Sequence, residues 1–346
     1  MKKLAIVILN WNGKKWLEQF LPNVLANSKG EGIDVIVADN GSTDDSLVFL
    51  KSNFPLVQVL ELEQNYGFTG GYNRALIQLK HEYFLLLNSD VEVTQNWLYP
   101  MIELMDNNSK VAVCQPKILD YNNRDCFEYA GASGGFIDKW GYPFCRGRIM
   151  TALEKDKGQY DNEQSIFWAT GACLLVRADA FFEAGMLDDD FFAHNEEIDL
   201  CWRMQHLDYE IRVVPSSVVY HVGGGTLAKT NPRKTYLNFR NNLCMLYKNL
   251  PSSVLITTIL IRMILDGIAG LKFLVLGNFG DFKAILKAHF SFYSLIPSMK
   301  IKRKAISNKK PLKDLKGVYF GSVIWQFYIK KNRKFDELIF RNQKSH

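Results

Sequence analysis

Tyr83-Phe84-Leu85-Leu86-Leu87-Asn88-Ser89-Asp90 is the stretch on which the fold of this chain turns. Five consecutive apolar residues, without polar alternation, read as a strand buried on both faces, as in a parallel sheet covered by helices. The run stops at a small polar turn and delivers a carboxylate to the strand's carboxyl end. Ligands of open α/β sheets bind in the crevice beyond such ends. Asp90 therefore stands where a cation bridging phosphate oxygens would be held. On its own, an Asp in such a turn reads first as a solvated residue, so its neighbours have to decide.

Apolar runs at 4–9, 33–38 and 57–62 precede this strand, with amphipathic stretches at 14–27, 44–52 and 71–80 among them. The β-α-β-α order predicts an α/β fold whose mostly parallel sheet carries helices on both faces. Further strands are expected at 111–118, 167–176 and 211–214. The Gly-, Asn- and Asp-bearing stretch 121–164 reads as irregular loops that build a substrate pocket.

With 346 residues, 47% of them apolar, the chain is long enough for one large domain with an appendage or for two domains. Its net charge of +6 is unevenly spread. Residues 300–346 hold 14 Lys and Arg against 3 Asp and Glu, a net of +11, which leaves 28 against 33, or −5, on the first 299. A basic tail on a mildly acidic body points to an anionic partner. Tyr319, Phe320, Trp325, Phe327 and Tyr328 within it suit a membrane interface, and no nucleic acid is expected.

The six cysteines (Cys114, Cys126, Cys145, Cys173, Cys201 and Cys244) form no C-x-x-C pair and no metal-finger spacing. They are expected as reduced, buried small hydrophobes of a cytosolic protein. Lys2-Lys3 followed by six apolar residues imitates a secretory signal, but the run is too short and ends at Asn10-Trp11-Asn12-Gly13. The catalytic part is expected to face the cytoplasm.

Past Pro251 the character changes. Residues 254–276 carry only three charges, Arg262, Asp266 and Lys272, which fall within about 120° of one another on a helical wheel. A spanning helix avoids charges at its centre, whereas a helix lying in the headgroup plane collects them on its wet face. With a second apolar stretch at 282–296 carrying Lys283 and Lys287, an interfacial helix or a shallow re-entrant pair is expected in preference to a true span, a buried helical hairpin being the alternative. The domain boundary is placed at 250/251: residues 1–250 as the catalytic domain, 251–346 as an apolar helical segment and basic tail.

Several motifs carry chemistry. Strand 33–38 leads into Asp39-Asn40-Gly41-Ser42-Thr43-Asp44-Asp45, where Asp39 is placed to bind a base or ribose and Ser42 with Asp45 to form a capping box. The turn after the first strand has a single glycine, which excludes the G-x-G-x-x-G of a dinucleotide enzyme. Asn65-Tyr66-Gly67-Phe68-Thr69-Gly70-Gly71-Tyr72-Asn73-Arg74 places glycines before a helix, where free N–H groups and Arg74 would favour an anion. In Phe191-Phe192-Ala193-His194-Asn195-Glu196-Glu197-Ile198-Asp199-Leu200-Cys201-Trp202-Arg203, Asp199 and Arg203 are spaced for an i,i+4 ion pair. Glu196 or Glu197 is left to act as a base. His221, leading into Val222-Gly223-Gly224-Gly225-Thr226, reads as a metal or diphosphate contact, or as a packed polar group.

In this order the segments 7–13, 38–46, 64–73, 85–90, 170–177, 191–203 and 221–225 resemble the family 2 glycosyltransferases, and the rhamnosyltransferase-like bacterial members most of all. The similarity covers residues 4–242. It implies a GT-A fold and an inverting transfer from a nucleotide-diphosphate sugar, assisted by Mg²⁺ or Mn²⁺. Asn10, Asp39, Asn65, Gly67, Gly71, Asn73, Arg74 and Asp90 would line the nucleotide-sugar site, and Gly171-Ala172 the acceptor side. Asp90 matches the last acid of the family's D-x-D, whose first place is Asn88 here, so a one-carboxylate metal site is implied, with His221 as a second ligand. Glu197 occupies the position of the catalytic base, one methylene longer than the family's usual Asp, and Glu196 stays open as the alternative.

The implied enzyme is a membrane-associated glycosyltransferase at the cytoplasmic face of the inner membrane, moving a sugar such as rhamnose to a lipid-linked or cell-surface glycan precursor. Two other classes compete. A sugar-phosphate nucleotidyltransferase needs the nucleotide fold and metal acids but no base on an acceptor side. A non-catalytic nucleotide-sugar or lipid-binding protein needs neither base nor leaving-group stabilisation.

Overall fold

In a computed structural model of the protein, residues 2–223 and 231–340 are described; Gly224, Gly225 and Thr226 of the glycine-rich run lie outside them. The first half alternates as the sequence predicts: β1 (Lys2–Asn10), α1 (Lys14–Asn27), β2 (Ile33–Asp39), α2 (Ser46–Asn53), β3 (Gln58–Glu61), α3 (Gly67–Leu76) and β4 (His81–Asn88). Then come β5 (Val91–Val93), α4 (Tyr99–Asn107), β6 (Val111–Asp120), β7 (Gly135–Asp138), β8 (Pro143–Cys145), β9 (Arg148–Ile149), β10 (Ala152–Leu153), β11 (Gln164–Ser165) and β12 (Cys173–Arg177). The rest of the chain forms α5 (Ala178–Glu183), α6 (Glu196–His206), β13 (Glu210–His221), α7 (Pro232–Asn249), α8 (Ser252–Val275), α9 (Phe279–Ala305) and β14 (Val318–Tyr319).

The main sheet runs β3-β2-β1-β4-β12-β6-β13-β11. β1 to β4 are parallel to one another, and β6 and β13 run with them. β12 is antiparallel to both β4 and β6, so the sheet is mixed at its centre. Its burial explains the apolar runs. Phe84 and Leu86 enter one hydrophobic cluster with α3, α5 and α6, while Tyr83, Leu85 and Leu87 enter another with α1 and α4. A strand covered on both faces needs apolar residues at every position.

Two expectations change. Only Cys173–Arg177 of the stretch 167–176 is a strand. The stretch expected as irregular, 121–164, contributes β7 to β10 to a second small sheet with order β10-β9-β8-β7-β14. Strands of two to four residues are too short to display a period in sequence.

The composition changes at 250/251, yet residues on both sides share one hydrophobic cluster, with Phe292, Met299, Val318, Val323 and Leu338 packed into it. A buried polar node adds to this. Asp199 of α6 accepts from Arg203 Nε, Lys248 Nζ and Asn249 Nδ2, each at 2.8 Å. Lys248 also binds Asp188 Oδ2 at 2.5 Å, and Lys302 of α9 reaches Asp188 and, at 2.7 Å, Asp190. The Asp199–Arg203 pair is thus present, within a larger network.

α8 differs from its expectation in which face is wet. Arg262 and Asp266 are buried, not solvated: the guanidinium stacks on Tyr142 at 3.7 Å, bonds Gly141 O at 3.2 Å and pairs with Asp266 at 3.3 Å. Ile256, Leu260, Ile264, Ile268 and Val275 are exposed instead. The helix docks by its polar edge because the loop at 140–142 offers carbonyls and an aromatic face that hydrocarbon would not.

Removing one member of a buried ion cluster leaves charge without compensation, at a cost of about 3–5 kcal/mol. Asp199→Ala, which strips both Arg203 and Lys248 of a carboxylate, should lower the urea midpoint accordingly with an unchanged m value. A midpoint within experimental error of wild type would refute the node's structural weight.

Candidate active site

The ends of β1, β2 and β4 converge. Register sets Asn10 opposite Asp39, and Asn10 Nδ2 donates to Asp39 Oδ1 at 2.9 Å. Asp39 Oδ2 accepts from the Ser42 N–H at 2.9 Å, while Ser42 Oγ accepts from Asn10 Nδ2 and the Asn12 N–H. Ser42 and Asp45 therefore form no capping box: α2 starts at Ser46, and Asp44 takes the N–H groups of Ser46 and Lys14. The buried Asp39 carboxylate is fixed from one side by this turn, and the Asn10 Oδ1 atom is buried without a partner.

The 65–74 motif is built differently from its sequence reading. Asn65 Oδ1 accepts from the Gly67 N–H, and Asn40 bridges Asn65 and Gly67. The helix begins at Gly67, and the N–H groups of Phe68 and Thr69 already donate to Phe192 O at 2.8 and 3.2 Å. The amino end of α3 is thus capped by protein and not presented to an anion. Gly67 has φ +74°, and a Cβ there would strike the Phe192 ring at 2.5 Å; one on Gly71 would meet Leu9 at 2.8 Å. Asn73 clamps the backbone of Leu187 and the Asp189 side chain, and Arg74 stacks on Tyr66 at 3.8 Å, 3.7 Å from Asp189. Among the described contacts, Gly67, Gly71, Asn73 and Arg74 shape and hold the cleft wall.

At the mouth of β4, Asn88 Nδ2 is 3.3 Å from His221 Nε2, and the Asn88 N–H donates to Ala172 O at 3.0 Å. Gly171 packs where a Cβ would meet Phe68 at 2.9 Å. Asp90 Oδ1 lies 3.2 Å from His221 Nε2, and Glu128 Oε1 lies 3.5 Å from the other ring nitrogen. Burial opposes the imidazolium, but the carboxylates of Glu128 and Asp90 outweigh it and hold the imidazole pKa up to about 10. Two cis ligands of an octahedral hard cation sit about 3 Å apart, so the Asp90–His221 spacing fits a divalent ion once the ring has released its proton. Among the described residues no group of three His, Cys, Asp or Glu side chains is arranged as a metal cage. The remaining ligands would come from phosphate oxygens and water.

The acid pair stands at the start of α6. It is reached through a backbone run with positive φ at Phe192 (63°), His194 (71°) and Asn195 (67°), an unusual conformation for side-chain-bearing residues. Asn241 of α7 holds that run, donating to Phe191 O, Ala193 O and His194 O at 2.7–2.9 Å, and Arg240 donates to Asp190 O and Phe191 O. Glu196 is buried and Glu197 partly exposed, and each has a carboxylate oxygen without a hydrogen-bond partner. Burial and then the neighbouring Glu197 raise the pKa of Glu196 well above the ordinary value. Burial lifts that of Glu197 to about 7. A carboxylate that titrates near neutrality is suited to accept a proton.

Four residues escaped the sequence reading. Glu128, buried behind His221, sat in the stretch read as loop. Arg148 is buried, stacks on Tyr129 at 4.5 Å and bonds Cys145, whose thiol feels both Glu128 and Glu197. Arg240 and Asn241 lie in a helix with no motif around them. Only proximity reveals any of the four.

A carboxyl group whose pKa rises from about 4.5 to about 7 on folding binds more protons folded than unfolded between those values. Stability is therefore lost as pH rises through that window. Glu197→Gln should melt at a higher temperature than wild type at pH 8, with the difference vanishing near pH 4. Equal melting temperatures at both pH values would contradict the raised pKa.

The geometry can be set beside known proteins. The sequence model of Glycosyl transferase family 2 matches residues 5–181, just over half of the chain. The N-acetylglucosaminyl-diphospho-decaprenol L-rhamnosyltransferase of Mycobacterium tuberculosis is 26% identical over 236 residues, 63% of this chain and 75% of that protein. The low-salt glycan biosynthesis hexosyltransferase Agl10 of Haloferax volcanii is 23% identical over 69% of this chain and 73% of its own. The solved structure of S. aureus TarS 1-349 superposes with a TM-score of 0.51 at 17% identity, over 89% of both chains. The mannosyltransferase PcManGT of Pyrobaculum calidifontis, in complex with GDP-Man and Mn²⁺, gives 0.51 at 12% over 88% of this chain and 86% of that one. With the family match spanning the strand ends just described and a GT-A-like mixed sheet beneath them, the chain belongs to glycosyl transferase family 2 and is a glycosyltransferase.

Proposed function

We propose that the protein is an inverting transferase that moves a sugar from a nucleotide-diphosphate donor to a hydroxyl of a lipid-linked or cell-surface glycan precursor. The observation that carries this reading is Glu197, a partly exposed residue whose carboxyl is raised to a pKa of about 7 and keeps one buried oxygen without a hydrogen-bond partner. Asp90, just past the end of β4, and His221, at the end of β13, would face the donor diphosphate. Asn10 and Asp39 would hold the nucleotide at the β1 and β2 ends, and Asn65 the turn beside it. Gly171 and Ala172 would border the acceptor.

The acceptor hydroxyl is a weak nucleophile at neutral pH, and Glu197 takes its proton as the new glycosidic bond forms. Glu196, kept protonated by burial and by its neighbour, adds no competing negative charge. Attack from the face opposite the leaving diphosphate inverts the anomeric centre. Mg²⁺ or Mn²⁺, held by Asp90, His221 and the donor, would stabilise charge on the departing oxygen. The Mycobacterium tuberculosis relative's name pairs rhamnose with a diphospho-decaprenol acceptor, and that pairing is the specific chemistry we favour here.

We assign the enzyme to the cytoplasmic face of the membrane. All six cysteines are free, in keeping with a reducing compartment. α8 is long and apolar enough to cross a bilayer. Its Arg262–Asp266 edge is packed on the catalytic body, which suits a helix lying in the interface with Ile256, Leu260, Ile264, Ile268 and Val275 in lipid.

Glu197→Gln should lower transfer at least 10²-fold while nucleotide-sugar affinity, read by thermal shift across a donor panel, stays within twofold. Full activity in that variant would overturn the base assignment. Ile264→Glu with Ile268→Glu should abolish flotation on anionic vesicles, and unaltered flotation would remove α8 from the membrane.

A further inference from the structure

A cavity of about 590 Å³ opens between the start of α7 and the start of α9. Arg233 and Tyr236 line it from α7, and Lys283 and Lys287 from α9. Such a volume lies in the range of small-molecule sites. Lys283 and Lys287 are four residues apart on one helix face, an arrangement of like charges that is unfavourable without an anion between them. Among the described residues, no carboxylate forms an ion pair with Arg233, Lys283 or Lys287. Asp281, the acid in the first turn of α9, instead accepts from Thr235 Oγ1 at 2.6 Å.

The lining is arranged for a charged group. The Lys287 ammonium sits 5.2 Å from the Tyr236 ring centre, and the Tyr236 hydroxyl donates to Ser291 Oγ at 3.0 Å. Burial opposes ionisation of that phenol, but Ser291, Arg240 and Lys287 outweigh it and hold its pKa below the ordinary value, as a positive local field would. Phe279, Leu286 and Phe290 of α9, each within about a turn of one of the two lysines along the helix, are exposed, and so are Val275 and Leu276 at the end of α8. A cationic pocket edged by exposed hydrocarbon matches an amphiphile with an anionic head and an apolar chain. The cavity also adjoins the catalytic loop: the Arg233 guanidinium stacks 5.1 Å from the Phe192 ring, four residues before Glu196.

We propose that this cavity seats the phosphate-ester headgroup of the lipid-linked acceptor, with its hydrocarbon tail lying along α8 and α9. The proposal rests on the lipid-linked acceptor of the preceding reading and adds the site that recognises it. A prenyl diphosphate held there would leave its sugar directed to the loop that carries the base.

Farnesyl diphosphate in neutral detergent micelles serves as probe, titrated by calorimetry into the full chain and into a Lys283→Ala/Lys287→Ala variant. We expect the double variant to bind it at least tenfold more weakly, with nucleotide-sugar affinity and flotation on phosphatidylglycerol vesicles unchanged. Three results would overturn the proposal. One is equal affinity of both proteins for farnesyl diphosphate. Another is loss of vesicle flotation in parallel, which would make the lysines a general membrane contact. The third is inorganic pyrophosphate binding as tightly as the prenylated probe, which would make the cavity a free-phosphate site. Failure of the glycosyltransferase donor reading is read separately, as wild-type protein that no nucleotide sugar stabilises.

Discussion

Asp199 carries no solvent exposure and answers to two cations and an amide. A carboxylate so placed is stable only with its partners in position, because an uncompensated charge in a low-dielectric interior is costly. Those partners come from α6 itself and from the end of α7, and Lys248 extends the node to Asp188, which Lys302 of α9 meets from the other side. The first turn of α6, with Glu196 and Glu197, is therefore fixed relative to helices that also carry the exposed apolar surface. The start of α6, the end of α7 and α9 are held as one mechanical unit because this buried node draws its charges from all three.

The chemistry depends on the same rigidity. Burial lifts the Glu197 carboxyl to a pKa of about 7, and the loop that leads to it has positive φ at Phe192, His194 and Asn195. Such a loop persists when its surroundings over-determine it. Asn241 donating to the carbonyls of Phe191, Ala193 and His194, Arg240 to two, and Phe192 O capping α3 supply that constraint. The glycines of the 65–74 motif belong to this device: Gly67 leaves room for the Phe192 ring, and the helix behind it is turned toward the catalytic loop.

α8 shows how the same charges carry opposite meanings. Three charges on one edge of an apolar helix suggest a wet face against a dry one. In the fold, Arg262 and Asp266 are satisfied by Tyr142, the Gly141 carbonyl and each other, and the apolar side faces out. The wheel was right that Arg262 and Asp266 share an edge, while Lys272 stays exposed. What that edge packs against is a tertiary fact.

The sequence by itself determined the parallel β-α core, since runs such as Tyr83 to Leu87 have one stable solution, burial on both faces. It also located Asp39, Asp90, Glu196, Glu197 and His221 at strand or helix ends, because polar residues that interrupt apolar runs must lie where the sheet stops. The antiparallel β12, the small second sheet, and the companions Glu128, Arg148, Arg240 and Asn241 were decided only in three dimensions. The small sheet's strands are too short to show a period, the partners of Glu128, Arg240 and Asn241 lie about 50 to 90 residues away, and Arg148 meets Tyr129 and Cys145 only through the folding of a loop. The contacts of Asn73 and Arg74 with Leu187, Asp189 and Tyr66 were likewise visible only in the fold. Residue type specifies what bonds a side chain can make, and the fold alone decides with whom it makes them.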